Sequence, residues 1–196
     1  MAVPLTNYLS EEGEYWGFDI VRKGIDWCQS NISSQFRNFH FKHADIYNKV
    51  YNPKGKIRAK DFQFAFESEY FDFVFSTSVF THMLPSDIKT YLSETSRVLK
   101  QGGKCLSTFF LLNEQSENLI RTRRTSVDFK YKLEGCLTRD AGRPEYAIAY
   151  PEDFVRDLLE TYGLRIIPPI HYGSWCKRDS VLSYQDILVA TKKTYH

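Results

Sequence analysis

Short apolar segments alternate with amphipathic segments along most of this chain, and that alternation limits its fold more than any other feature. Apolar runs predict strands at 14–20, 36–43, 70–76, 104–112, 164–170 and 184–191. Helical spacing predicts helices at 1–9, 22–31, 86–99, 114–124 and 151–162. Strands that are apolar throughout, separated by helices, predict an α/β fold with an open, mostly parallel sheet and helices on both faces.

Helix boundaries follow from particular residues. We expect Ser86 to cap the helix at 86–99 and Gly102-Gly103 to end it, whereas Pro151 opens the last helix and Gly163 closes it. The region 126–150 is mixed, with turn signals at 140–144. Since 196 residues fit one domain and no linker stands out, residues 1–196 are predicted to form a single domain.

The charge balance and the cysteines exclude several classes of function. The formal net charge is only +2, which gives no whole-molecule reason to expect a nucleic acid or a membrane as partner. A basic run at 54–60 is predicted to be a solvated face, with a phosphate or nucleic-acid role as the alternative. The four cysteines lack zinc spacing, so we expect reduced thiols, no metal and a cytoplasmic protein.

Acidic residues follow the first two predicted strands, where ligands bind in sheets of this kind. Asp19 can accept hydrogen bonds from both hydroxyls of a ribose, or it can cap the helix that begins at Val21. Asp45 can accept from the exocyclic amine of an adenine, with Ile46 packing on the ring, or it can be a turn residue.

Small polar residues follow the third predicted strand. Ser76 and Thr77 leave room there for the reactive group of a ligand. His82 is a candidate general base, and the alternative for this histidine is a structural hydrogen bond.

The succession YWGFDI, FKHADI, EYFDFVFSTSVFTHM and LSETSRVLKQGGKCLSTFF resembles the class I S-adenosylmethionine-dependent methyltransferase family, from its second strand to its fifth. The resemblance covers residues 1–112 well and the final strands more loosely. It implies a Rossmann-like three-layer αβα sandwich with an antiparallel last strand, and S-adenosyl-L-methionine as cofactor. By the same resemblance Asp19 and Ile20 would bind the ribose, Asp45 and Ile46 the adenine, and Ser76 and Thr77 would lie near the methionine portion.

One feature of that family has no counterpart in this sequence. Family members carry, before the ribose-binding acid, a central strand that ends in a glycine-rich turn, whereas the glycines before Asp19 here are Gly13 and Gly17. Residues 1–9 would match the helix after that turn, so we expect a sequence that starts at an internal methionine and an incomplete domain that lacks its first central strand. Oligomers could then form through unpaired sheet edges.

The acceptor of the methyl group is indicated only weakly. His171, Tyr172 and Trp175 mix polar and aromatic groups in one loop, as acceptor pockets do, although Trp175 suits a core position equally well. Arg121, Arg123 and Arg124 could bind an anion, but a solvated helix face is the more common role. We therefore expect a small-molecule acceptor, methylated on oxygen or nitrogen.

Two other functions compete with methyl transfer. A catalytically inactive methyltransferase-like fragment or paralogue would act as a binding module. A nicotinamide-dependent oxidoreductase would also place an acid after a strand, but it needs a G-x-G-x-x-G turn that the sequence lacks. The combination of Asp45 with the segment at 75–83 favours the methyltransferase.

Overall fold

The computed structural model describes residues 2–122, 125–179 and 181–194. The chain divides into two compact units, Met1–Arg58 and Ala59–His196. That all 196 residues form one domain stays a prediction.

The first unit is built around a pair of parallel strands. Its elements are α1 (Ala2–Leu5), β1 (Tyr15–Asp19), α2 (Arg22–Cys28) continued by a π-helical turn at Gln29–Ser33, β2 (Phe39–His43), β3 (Ile46–Tyr47) and β4 (Ile57–Arg58). β1 pairs with β2 in parallel from Tyr15 opposite Phe39 to Asp19 opposite His43. Ile25, Ile32 and Phe39 are the centre of its apolar core. The predicted strands and helices therefore form here with boundaries shifted by a few residues.

The second unit contains the longer elements. They are β5 (Phe71–Ser76), α3 (Pro85–Val98), β6 (Leu99–Phe109), β7 (Leu111–Leu112), α4 (Glu114–Arg121), β8 (Tyr131–Leu133), β9 (Cys136–Thr138), β10 (Ile148–Pro151), α5 (Glu152–Thr161), β11 (Leu164–His171) and β12 (Asp186–Lys192). Short 3₁₀ turns lie at Ala59–Asp61, Phe80–His82, Pro144–Tyr146 and Ser174–Cys176.

The main sheet of this unit has the strand order β11-β12-β6-β5. β5 and β6 are parallel, whereas β12 runs antiparallel to both β6 and β11. The antiparallel last strand expected from the sequence is thus confirmed. β5 and β11 are the outer strands of this sheet, and association of chains through such edges stays a prediction.

A second sheet with the order β7-β10-β9-β8 accounts for the region that the sequence left as mixed. β10 pairs in parallel with β7, and β9 is antiparallel to both β10 and β8. Phe110, Phe129 and Trp175 belong to the core cluster beside it, and each pair among these three rings meets at centroid distances of 5.2–5.5 Å.

The start of α3 differs from the prediction. The residue that caps the helix is Leu84, and its backbone N–H donates to the Asp87 carboxylate at 3.2 Å. Pro85 occupies the first helical position, where a missing N–H costs nothing. Ser86 as the cap is therefore wrong: Pro85 favours the first position of a helix and moves the cap one residue before itself.

The two glycines at 102 and 103 do not end α3 either. The helix ends at Val98, and β6 begins directly at Leu99. Gly102 has φ +74°, and the register of β6 against β5 shifts between Phe71 and Phe73. A Cβ on Gly103 would lie 2.8 Å from the Lys100 carbonyl oxygen. The glycines therefore allow an irregularity inside a long strand.

A buried carboxylate ties several segments of the second unit together. Asp186 is 0% exposed, and its oxygens accept from the backbone N–H groups of Leu111 and Gly173, both at 2.7 Å. The Trp175 Nε1–H donates to it at 2.8 Å, and the Arg178 guanidinium lies 3.0 Å away. Burial raises the pKa of Asp186, and these donors oppose that rise. Because an unpaired buried charge is strongly destabilising, the loss of either partner of this ion pair should destabilise the fold.

We expect Asp186→Ala to lower the free energy of unfolding by about 3–5 kcal/mol, because it leaves the Arg178 charge buried without its counter-charge. Urea denaturation followed by circular dichroism measures this loss. The matched control is Asp72→Ala, since the Asp72 side chain is 84% exposed and pairs with Lys100 on the surface. The control should lose less than about 1 kcal/mol. Equal losses in the two variants would contradict the role assigned to Asp186.

Candidate functional site

The two acidic residues singled out in the sequence lie at one edge of the sheet in the first unit. Asp19 ends β1, opposite His43 at the end of β2. The ladder continues for one more hydrogen bond, from the Ala44 N–H to the Asp19 carbonyl oxygen at 3.0 Å. Asp45 follows directly. Parallel strands therefore bring both carboxylates to the same carboxyl-end edge, where ligands bind in such sheets.

Asp19 uses one oxygen to shape the turn into α2. Its Oδ1 accepts from the Val21 N–H at 2.8 Å, and Val21 itself is the capping residue of α2 without a side-chain cap. The Asp19 side chain therefore supports the turn before the helix rather than the first helical N–H groups. The residue is exposed, and its second oxygen accepts no hydrogen bond from the described residues. That oxygen is available to a ligand.

Asp45 is held by its backbone and not by its side chain. Its carbonyl oxygen accepts from the N–H groups of Lys56 and Ile57 at 3.0 and 3.1 Å. The partly exposed carboxylate forms no hydrogen bond with the described residues. Ile46 is 2% exposed, so a ring placed against it would touch little of its side chain.

His43 fixes the backbone between these two acids. Its Nε2 lies 3.1 Å from the Ile20 carbonyl oxygen, and its Nδ1 lies 3.0 Å from the Arg22 guanidinium. A neutral ring that donates from Nε2 and accepts at Nδ1 satisfies both contacts. Ile20 itself is partly exposed beside Asp19.

In the second unit, the segment after β5 contains an unusual backbone conformation. Ser76 pairs with Ser107, and both Ser76 and Thr77 are partly buried. Ser78 has φ +55°, a region that non-glycine residues seldom adopt and that is common at functional sites. Its N–H donates to the Thr108 Oγ1 at 2.8 Å.

Gln185 completes this group of polar side chains. Its Oε1 accepts from the Thr108 hydroxyl at 2.6 Å and from the Ser78 hydroxyl at 3.2 Å. Sequence reasoning missed both Ser78 and Gln185. The run of small residues at 76–78 was a sequence signal for Ser78. No such signal existed for Gln185, because it lies more than 100 positions from Ser78 in the chain.

His82 lies in the 3₁₀ turn after β5 and is anchored to the backbone. Its Nδ1 lies 2.9 Å from the Glu145 carbonyl oxygen. Burial lowers the pKa of His82 from its ordinary value of 6.5, against hydrogen bonds to the carbonyls of Glu145 and Tyr146. The structure therefore supports the structural alternative for this residue and also keeps its ring neutral near pH 7, which a general base requires.

His171 and Tyr172 line one pocket of about 510 Å³, together with Gln115, Ile170, Arg178, Asp179, Val181 and Leu182. The Tyr172 hydroxyl donates to the Glu152 carboxylate at 2.9 Å. Burial raises the pKa of Tyr172, and this hydrogen bond raises it further. The Arg178 guanidinium lies 4.7 Å from the centre of the Tyr172 ring. Tyr172 and Arg178 are thus held by internal partners.

Trp175 does not line that pocket. It is 0% exposed, and it is packed against Phe110 and Phe129 while its Nε1–H donates to Asp186. The predicted substrate contact through Trp175 is therefore wrong. Trp175 is a core residue, because no surface of its ring is left for a ligand. The residue supports the loop that carries Tyr172.

The basic segments noted in the sequence lie on the surface. Lysines 54, 56 and 60 and Arg58 are exposed, as expected for a solvated face. Arg121 is exposed at the end of α4 and donates to the Asn118 side chain at 3.0 Å. Arg123 and Arg124 lie outside the described residues.

Two features are absent from the described residues. No cluster of three or more histidine, cysteine, aspartate or glutamate side chains in that part of the chain could hold a metal ion. Within the same residues, no helix has the length and apolar character needed to cross a membrane.

The comparisons with known proteins identify the family. A family model described as a methyltransferase domain matches residues 2–107, more than half of the chain. The chain therefore belongs to the methyltransferase domain family. This agrees with the resemblance found in the sequence.

Solved structures show the same fold. A protein from Pyrococcus horikoshii OT3 is 19% identical, with 98% of this chain and 76% of that chain covered at a TM-score of 0.63. A SAM-dependent methyltransferase from Methanosarcina mazei is 20% identical, with 98% of each chain covered at a TM-score of 0.54. The magnesium protoporphyrin IX methyltransferase of Synechocystis PCC 6803, solved with bound SAH, is 13% identical, with 97% of this chain and 68% of that chain covered at a TM-score of 0.59. The Rossmann-like α/β class is confirmed.

We expect the imidazole of His82 to titrate below pH 6.5, because burial disfavours its charged form. In its neutral state the ring proton should reside on Nδ1, which donates to the Glu145 carbonyl. Nitrogen-15 NMR of the histidine ring across pH 5–8 measures both properties, with His82→Gln used to assign the signal. A midpoint at or above 6.5, or a proton on Nε2 in the neutral ring, would contradict this assignment.

Proposed function

We propose that this chain is an S-adenosylmethionine-dependent methyltransferase that acts on the oxygen or nitrogen of a small molecule. One observation carries the proposal: in a chain of the methyltransferase domain family, two carboxylates with unused hydrogen-bonding capacity lie at one edge of a parallel strand pair. Carboxylates are acceptors only, so this edge suits a ligand that presents several donors.

The adenosine half of S-adenosylmethionine fits these acceptors. A ribose presents two hydroxyl donors, and the exposed Asp19 carboxylate has an oxygen that accepts no hydrogen bond from the described residues. An adenine presents an exocyclic amine, which suits the Asp45 carboxylate. Ile20 and the small exposed part of Ile46 would contact the ring and the sugar.

For the methionine half we keep the assignment that the family resemblance implies, to Ser76, the last residue of β5, and to Thr77 after it. Their side chains are short and polar, and the left-handed backbone at Ser78 fixes the path of the chain just after them. The hydrogen bond from Ser78 to Thr108 holds that conformation in place.

When bound, S-adenosylmethionine supplies an electrophilic methyl group. The part of the protein is to align the acceptor atom with that group and, for a hydroxyl or an ammonium, to remove a proton. We assign the proton removal to the imidazole of His82. The bond from Nδ1 to the Glu145 carbonyl orients the ring, and the lowered pKa of His82 keeps it ready to accept a proton at neutral pH.

His171 and Tyr172 remain our candidates for contact with the acceptor. They lie on one pocket, and its volume of about 510 Å³ is in the range of small-molecule sites. Tyr172 is held in place by Glu152, so it would offer its ring rather than its hydroxyl.

We expect S-adenosylmethionine to bind the full chain, and Asp19→Ala to weaken that binding by about 10- to 100-fold. The change removes hydrogen bonds to a charged group, which are worth about 1.5–3 kcal/mol. Isothermal titration calorimetry at pH 7 measures the affinity, with S-adenosylhomocysteine as a second ligand.

Asp26→Ala is the matched control, because Asp26 is an exposed carboxylate on α2 in the same unit. Its affinity should equal that of the unsubstituted chain. Absence of binding to the unsubstituted chain would favour an inactive paralogue. Binding that Asp19→Ala leaves unchanged would refute the ribose assignment.

A further inference from the structure

A second pocket of the second unit combines positive charge with aromatic rings. Its volume is about 390 Å³, and it is lined by Lys130, Tyr131, Arg139, Asp140, Arg143 and Tyr146. The guanidinium carbons of Arg139 and Arg143 lie 5.1 and 5.5 Å from the centre of the Tyr146 ring. The Lys130 ammonium lies 5.7 Å from the centre of the Tyr131 ring. The described residues that line this pocket thus include three cations and one carboxylate.

The counter-charges of these cations are unequally distributed. Lys130 pairs with Asp128 at 3.2 Å, and Arg143 pairs with Asp140 at 3.3 Å. Arg139 forms no ion pair with the carboxylates of the described residues, and its side chain is exposed over Tyr146. An arginine held on an aromatic face presents its N–H groups to one side, and these suit the oxygens of a carboxylate or a phosphate.

The loop that carries these residues is held by its own hydrogen bonds. The Thr138 hydroxyl is fully buried and lies 2.9 and 3.0 Å from the carbonyl oxygens of Pro144 and Ala147. The Asp140 Oδ1 accepts from the N–H groups of Gly142 and Arg143 at 2.9 and 3.0 Å. Both hydrogen bonds lower the pKa of Asp140, and the bond from the Arg143 N–H has the larger effect. A pocket formed in advance loses less entropy when a ligand binds.

This pocket is connected to the residue that we assign as the base. Tyr146 follows Glu145, and the Glu145 carbonyl is the group that accepts from the Nδ1 of His82. The 3₁₀ turn at Pro144–Tyr146 therefore carries both a wall of the pocket and the anchor of His82. A group bound against Tyr146 would therefore contact the same turn that anchors the imidazole.

Among the described residues, the pocket beside Tyr172 is lined by no such available cation. Arg178, which lines it, is bound to the buried Asp186 and donates to the side chains of Gln115 and Asn113. Arg178 is therefore already paired within the protein, whereas Arg139 forms no ion pair with the described residues.

We propose that the pocket at Arg139 and Tyr146 is a subsite for an anionic group, a carboxylate or a phosphate monoester, of the methyl acceptor. This inference rests on the proposed function, because it makes the acceptor a small anion whose nucleophilic atom lies toward His82. The Arg139 guanidinium binds the anionic oxygens, and the tyrosine rings cover the adjoining part of the molecule.

The test uses the full chain with two small anions, benzoate and phenyl phosphate, and with benzyl alcohol as the neutral counterpart. Binding is followed by nitrogen-15 NMR of the arginine side chains and of the backbone at 139–146. We expect at least one anion to bind, the alcohol not to bind, and the affinity to fall as salt is raised. Arg139→Gln should weaken anion binding about 10-fold or more.

Arg165→Gln is the matched control, because Arg165 is an exposed arginine of the same unit that does not line the pocket. It should leave the affinity unchanged. If neither anion binds the unsubstituted chain, or if the two variants bind equally well, the inference is wrong. Calorimetry with S-adenosylmethionine separates the two proposals: a chain that binds this cofactor through Asp19 but binds neither anion keeps the proposed function and loses only the subsite.

Discussion

The buried Asp186 carboxylate is the interaction that joins segments of the second unit that lie far apart in the chain. It lies at the start of β12 and accepts from the backbone at Leu111 and Gly173, from the Trp175 indole and from Arg178. These groups come from the start of β7 and from the loop after β11. A single desolvated charge thereby joins the start of β7 to the loop after β11, since a buried carboxylate is stable only when its hydrogen bonds are satisfied.

The side chains to which we assign functions differ in how firmly the fold holds them. Asp19 and Asp45 keep carboxylate oxygens available, because their structural roles use other atoms. His82 is anchored by the backbone and kept neutral by burial. Arg139 is a cation without an internal carboxylate partner among the described residues, in contrast to the committed Arg178. Groups that a fold leaves unsatisfied at its surface are the ones that can recognise a ligand.

Much of the fold follows from local patterns, and so does part of the candidate site. The strands and helices were predicted because their apolar periodicity is local, and Asp19 and Asp45 were found because the ends of parallel strands meet at one edge. The partners of Asp186 and the contact between Ser78 and Gln185 join residues far apart in the chain, so no local signal exists for them. Gly102 was misread because a glycine permits both a helix end and an irregular strand.

A direct measurement of the central claim is an amide NMR titration of the nitrogen-15-labelled full chain with S-adenosylmethionine. The claim is that the adenosine half of this molecule binds at the ends of β1 and β2. We predict that the largest shift changes of the first unit occur at Asp19, Ile20, Asp45 and Ile46, and that they saturate with one equivalent of ligand. No change at these four amides at saturating ligand, or changes confined to other parts of the unit, would contradict the account.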